Sequence, residues 1–69
     1  MLIMIAIVLN GERREVEDGT VAELLLALGV PARGVAVAID GEVVVRAEWR
    51  ARRLTAGDRI EVLTAAQGG

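Results

Sequence analysis

The final residue of this sequence, Gly69, carries the candidate working group, a free carboxylate that follows a second glycine, Gly68. A terminal glycine pair has no side chain to pack into a core, so we expect it to form a narrow and mobile end of the chain. At average glycine usage such a pair arises by chance about once in two hundred sequences, and about once in eighty at this chain's glycine content. The pair therefore directs attention to the carboxylate of Gly69.

The amino-acid composition removes most side chains that perform catalysis. The chain has no His, Cys, Ser, Lys or Tyr, which excludes the usual nucleophiles, the acid/base group of neutral pH and the Schiff-base amine. Absence of cysteine also excludes disulfides and thiolate metal sites, and fits a reducing cytoplasm. The composition predicts that this protein is not an enzyme in its own right.

Cofactor and nucleic-acid binding find little support in the sequence. The acidic residues lack the spacing of a calcium loop, and neither a phosphate-binding loop nor a dinucleotide-binding glycine motif is present, so no bound metal or nucleotide is predicted. The basic cluster consists of Arg46, Arg50, Arg52 and Arg53. Since the chain is weakly acidic and Trp49 is its single aromatic residue, we interpret this cluster as solvated surface charge rather than an RNA site.

The first third of the chain predicts two strands joined by a tight hairpin. Leu2–Leu9 is an apolar run typical of a central strand covered on much of both faces, and it is far shorter than the roughly 20 residues that span a bilayer. Asn10-Gly11 is the preferred pair for a type I′ turn. Glu12–Glu17 is mostly charged, which predicts an edge strand with one face in water.

A short helix is predicted after this hairpin. Thr20 and Glu23 form a T-x-x-E capping box, which indicates the N-terminus. Gly29 is placed to end the helix, and Pro31 prevents its continuation. Apolar side chains recur at helical spacing and predict one buried stripe, formed by Val21, Leu24, Leu25 and Leu28.

The second half predicts three further strands. Val35–Ile39 alternates large residues with alanines, which indicates a strand with one thin face against which something packs closely. Asp40-Gly41 repeats the hairpin signal, and the following strand is expected over Glu42–Arg46. An irregular connection anchored by Trp49 and Leu54, with a short helical turn, then leads to the alternating strand Arg59–Thr64.

This order of elements predicts one α+β domain at residues 1–64, a mixed sheet of four to five strands with one helix packed on one face. The first and the last strands are expected to be parallel neighbours in the middle of the sheet, since a connection that crosses by way of the helix lets them run in the same direction. That arrangement is the β-grasp, or ubiquitin-like, fold. It leaves residues 65–69 as a flexible tail that reaches up to about 17 Å from the domain.

Short segments in a fixed order and spacing extend over nearly the whole chain: Leu9-Asn10-Gly11-Glu12, Gly19-Thr20-Val21, Glu23-Leu24-Leu25, Val35–Ile39, Val43–Trp49, Gly57–Val62 and Gln67-Gly68-Gly69. In this order and spacing the sequence resembles the ThiS-like sulfur carrier proteins of thiamine biosynthesis. Asp40 and Val45 depart from the family, which usually has Asn and Pro at these positions.

The resemblance implies a cycle in which an E1-like, or ThiF-like, enzyme uses ATP to adenylate the Gly69 carboxylate. Sulfur from a persulfide then replaces AMP, and thiazole synthase (ThiG-like) accepts it from the resulting thiocarboxylate. These enzymes would recognise Gly68, Gln67 and Ala66 as parts of a narrow, extended tail. The strand pattern adds Leu63 as an outward-facing partner contact beside the tail. No nucleic acid, membrane or bound cofactor belongs to this cycle, which is expected in the cytoplasm.

Three other functions stay open at this point, and one of them is RNA binding through the arginine cluster, which salt-sensitive retention on RNA would support. The small subunit of molybdopterin synthase shares the fold and terminus but delivers its sulfur to a pterin. The chain is alternatively a passive β-grasp interaction module in which the glycine pair has no chemical role.

Overall fold

A computed structural model of the protein describes residues 1–31 and 33–65. Within them the chain forms a single five-stranded sheet with the strand order β2-β1-β5-β3-β4. One helix, α1, lies between the second and third strands, and a 3₁₀ turn follows the fourth. The elements are β1 (Met4–Leu9), β2 (Glu12–Glu17), α1 (Val21–Leu28), β3 (Val35–Ile39), β4 (Glu42–Val44), the 3₁₀ turn (Arg46–Glu48) and β5 (Arg59–Thr64).

The sheet confirms the predicted mixed α+β fold. β1 and β5 are parallel neighbours, whereas β5 pairs with β3 in the antiparallel direction. β5 is therefore the central strand, with two strands on each side. Because β5 is also the last strand among the described residues, the described chain ends in the middle of the sheet.

The first strand is shorter and more exposed than the sequence predicts. β1 begins at Met4, and Leu2 and Ile3 lie outside the sheet with exposed side chains. Pairing with β2 ends at Met4 and Glu17, because the chain turns after Glu17 toward the helix. The predicted coverage of β1 on both faces is complete on one face only: Ile7 and Leu9 are buried, whereas on the other face Ala6 and Val8 are half-buried and Met4 is half exposed.

Both predicted hairpins have type I′ geometry. Asn10 and Gly11 have φ values of 49° and 85°, and Asp40 and Gly41 have φ values of 52° and 84°. These left-handed conformations are accessible to glycine and are tolerated by asparagine and aspartate. β4 ends at Val44, two residues before its predicted end, and the 3₁₀ turn begins at Arg46.

The structure confirms the predicted signals for both ends of the helix. The Glu23 amide donates to Thr20 Oγ1 at 3.2 Å, and the Thr20 amide donates to Glu23 Oε1 at 2.8 Å. Gly29 ends the helix in the left-handed region, with φ of 73°. Of the predicted stripe, Leu28 is half-buried, and the fully buried members are Val21, Leu24 and Leu25.

Replacing Thr20 with alanine should lower the free energy of unfolding by about 1 kcal/mol, because it removes the side-chain acceptor for the Glu23 amide. Chemical denaturation of Thr20→Ala measures this loss. Thr55→Ala is the matched control, since the Thr55 side chain is exposed and its backbone amide keeps its bond to Asp58. Equal stability changes in the two variants would contradict a capping role.

The core lies between the helix and one face of the sheet. Trp49 and Leu54 close one side of it, which confirms the predicted anchors of the irregular connection. The Trp49 indole Nε1 donates to the Val44 carbonyl at 2.9 Å, so its polar atom is satisfied where the ring is buried. The buried apolar residues are Ile7, Leu9, Val21, Leu24, Leu25, Val37, Ile39, Val44, Trp49, Leu54, Ile60 and Val62.

In the described part of the chain, no helix is sufficiently long and apolar to cross a membrane.

Candidate functional site: the last strand and the open face of the sheet

β5 connects the core to the predicted tail. Its side chains alternate as the sequence predicts: Ile60 and Val62 are buried beneath the helix, while Arg59, Glu61 and Leu63 are exposed on the opposite face. Two buried anchors thus fix the strand that leads to the tail. The outward residues of the same strand are free to contact a partner.

The base of the tail is held by β3 and the loop before it. The Ala65 amide donates to the Gly34 carbonyl at 2.6 Å, one step beyond the last pair of the β3–β5 ladder, Val35 and Thr64. Gly34 has φ of 69°, and a Cβ there would lie 3.2 Å from the Ala65 Cβ. A glycine at position 34 therefore suits both the backbone conformation and the close approach of Ala65.

The predicted tail residues lie outside the described residues. These are the sulfur-carrying Gly69 and the recognition residues Gly68, Gln67 and Ala66. The boundary between the domain and its tail, predicted after Thr64, stays a prediction.

Leu63 lies on the face of the sheet that points away from the helix. We call this surface the open face and define it by Met4, Ala36, Val43 and Leu63, which are all exposed. Leu63 is 65% exposed and is paired with Ala36 on β3. Because Ala36 is small, most of the Leu63 side chain stands clear of its neighbour.

The prediction that another element packs closely against the alanine face of β3 is wrong. Ala36 is exposed and Ala38 is half-buried, so no element among the described residues packs closely against this face. Val43, paired with Ala38, is 73% exposed. The reason is that the fold has one helix, which covers the opposite face, and the alanines leave an accessible apolar strip.

The arginine cluster lies in the connection beside the N-terminus of α1. Arg53 Nη2 is 3.4 Å from Asp18 Oδ1, and both side chains are partly exposed. The Arg46 guanidinium stands over the Trp49 ring at 5.6 Å from its centroid. These contacts fit the interpretation as surface charge; RNA binding stays untested.

Two polar residues outside the predicted site have structural partners. Asp58 is buried and its carboxylate accepts the Thr55 amide at 2.8 Å, which closes the turn before β5. The Asn10 side chain bonds to both backbone groups of Val62 on β5. Sequence reasoning identified Asn10 only as a turn residue, because the hairpin signal carries no information about a partner 52 residues away. Across residues 1–31 and 33–65, no three acidic side chains are grouped to hold a metal ion.

The comparison with known families gives one match over most of the chain. The profile of the ThiS family matches residues 7–69. The chain is also 43% identical over 61 residues to the sulfur carrier protein ThiS of Thermus thermophilus. That alignment covers 88% of this chain and 95% of the relative.

Solved structures agree with the sequence comparison. The crystal structure of the thiamine biosynthesis protein ThiS from Geobacter metallireducens superimposes with a TM-score of 0.81 at 36% identity, covering 94% of this chain and all (100%) of that one. The solution structure of a thiamine biosynthesis protein from the same organism gives a TM-score of 0.82 at 36% identity, covering 94% of this chain and 88% of that one. Sequence and fold therefore point to the same group of proteins.

Proposed function

The chain belongs to the ThiS family of sulfur carriers, and from this premise we propose that it carries sulfur on the carboxylate of Gly69 for the thiazole ring of thiamine. The observation that carries the proposal is the family match through residue 69, which includes both terminal glycines. As a carrier, the protein is a co-substrate of its partner enzymes rather than an enzyme. The composition agrees, because it lacks the usual catalytic nucleophiles.

The proposed cycle begins with activation, because a carboxylate is a poor acyl electrophile. An oxygen of the Gly69 carboxylate attacks the α-phosphorus of ATP, pyrophosphate leaves, and the acyl adenylate forms. The terminal sulfur of a persulfide then displaces AMP, and thiol reduction of the new S–S bond leaves the thiocarboxylate. Glycine suits this position because a Cβ at either of the last two residues would widen the tail and crowd the carbonyl.

Two enzymes complete the proposed cycle. An E1-like adenylating enzyme supplies the ATP site and activates the carboxylate. Thiazole synthase receives the sulfur. Because activation consumes ATP, we place the cycle in the cytoplasm.

Leu63 supplies the proposed docking contact for these enzymes. Leu63 is two residues before Ala65, where the described chain ends, so a partner that holds the tail also lies near this side chain. Its exposure makes apolar area available for burial, and a side chain buried at the centre of an interface contributes more than one at the rim.

Replacing Leu63 with aspartate should raise the KM of the activating enzyme for the carrier about tenfold, because the charge must be desolvated when the enzyme covers this position next to the tail, whereas Val43 lies away from it. Steady-state adenylation measures this change. Val43→Asp is the matched control: it adds the same charge to the same face at similar exposure, but on the edge strand β4. Unchanged adenylation of Leu63→Asp, with normal unfolding, would remove Leu63 from the interface.

Loading of the carrier is tested directly by mass. The protein is incubated with the activating enzyme, ATP, a persulfide donor and a thiol reductant, and is then weighed intact; exchange of one oxygen for sulfur at Gly69 is expected. Reactions without ATP are the control. Unchanged mass with every activating enzyme of the source organism would reject the proposal. Delivery of the loaded sulfur to thiazole synthase, compared with molybdopterin synthase, then identifies the acceptor.

A further inference from the structure

Two hairpin side chains reach across to β5. Asn10 Nδ2 donates to the Val62 carbonyl at 3.2 Å, and the Val62 amide donates to Asn10 Oδ1 at 2.9 Å. In the other hairpin, Asp40 Oδ1 accepts the Arg59 amide at 3.0 Å. The first residue of each type I′ turn thus holds the central strand as well as its own turn.

The two halves of β5 are supported differently. On the β3 side, pairing extends from Ile60 to Thr64. On the β1 side, the ladder contains only Arg59 and Ile60, because β1 ends and its hairpin turns away. The half of β5 next to the tail therefore has a strand on one side only, and the Asn10 amide takes the place of a strand on the other.

Each of the two side chains has the hydrogen-bond donors and acceptors that the backbone of β5 requires at its position. Val62 offers both an N–H and a C=O, and a primary amide is able to accept from one and donate to the other. At Arg59 the carbonyl is already taken by the Asp40 amide at 2.8 Å, so only the N–H is left. A carboxylate satisfies that single donor, which explains why aspartate serves at position 40 while position 10 needs asparagine.

We propose that Asn10 is a positioning residue that fixes the tail-proximal half of β5 and thereby the direction in which the chain leaves the sheet. Without its side chain, β5 would lose both hydrogen bonds that hold Val62 on the β1 side, while its pairing with β3 would remain. The strand could then pivot on that one side, so a partner would have to order a wider range of tail directions before reaction. The consequence for sulfur loading rests on the proposed function.

The test compares Asn10→Gly with Asp40→Gly. Glycine adopts both left-handed conformations without strain, so each variant keeps its turn and loses its side-chain hydrogen bonds to β5, two in Asn10→Gly and one in Asp40→Gly. In Asn10→Gly, hydrogen exchange of the Val62 amide should quicken about tenfold relative to amides of α1, because its acceptor is gone. The KM for adenylation should rise about fivefold with kcat unchanged.

Asp40→Gly should leave both the Val62 exchange and the KM at wild-type values, since it acts on the other end of β5. Asn10→Asp keeps an acceptor for the Val62 amide but no donor for the carbonyl, and should give an intermediate KM. Unchanged Val62 exchange in Asn10→Gly, or equal KM values in the two glycine variants, would overturn the inference. If the wild-type chain is not loaded at all, the proposed function fails, and Val62 exchange alone decides whether Asn10 fixes the strand.

Discussion

Removal of Gly68 and Gly69 should abolish sulfur loading while the domain stays folded. The new terminal carboxylate would belong to Gln67, whose Cβ crowds the carbonyl, and the reach of the tail would shorten by about 7 Å. Because Val62 is the last buried residue in the part of the chain that the structure describes, the free energy of unfolding should not change. Intact mass after incubation with the activating enzyme, and thermal unfolding of the same sample, measure both effects.

A second deletion separates the length of the tail from its chemistry. Removing Ala66 and Gln67 shortens the chain by the same two residues but keeps Gly-Gly at the end. This variant should form the adenylate more slowly than the wild type, whereas the variant without the glycines should not form it. Wild-type loading after removal of Gly68 and Gly69 would disprove the role of the Gly69 carboxylate.

Replacing Ile60 with alanine should lower the free energy of unfolding by about 3 kcal/mol, through lost burial and the cavity that remains. Ile60 is 1% exposed and lies on the central strand, paired with both Leu9 and Ile39. A domain this small has a total free energy of unfolding near the lower end of the range for folded proteins, about 5 kcal/mol. Ile60→Ala should therefore remove most of it, which a shift of the urea midpoint measures.

Leu63→Ala is the control for this loss, because Leu63 is on the same strand but faces solvent. Its stability should stay within about 0.5 kcal/mol of the wild type. Similar destabilisation by both substitutions would mean that both faces of β5 are packed, contrary to the open face described above.

The sequence alone determined the local structure of this protein. Thr20, Glu23 and Gly29 specify the ends of the helix through contacts within a few residues, and Asn10-Gly11 specifies a turn through allowed φ values. Alternation in β5 correctly assigned Ile60 and Val62 to the core, because side chains of a strand point to opposite faces in turn. The predicted adjacency of the first and last strands is confirmed by their parallel pairing.

Only the tertiary structure determines how far β1 and β5 lie alongside each other in the sheet. β1 stops beside Ile60, so β5 extends past it toward the tail, and an asparagine read as a turn residue becomes the partner of Val62. Nothing local encodes that offset, since it depends on how the packed strands share one core. The same holds for the open face: alternation shows that Leu63 points away from the core, but only the position of the single helix shows that this side of the sheet is uncovered.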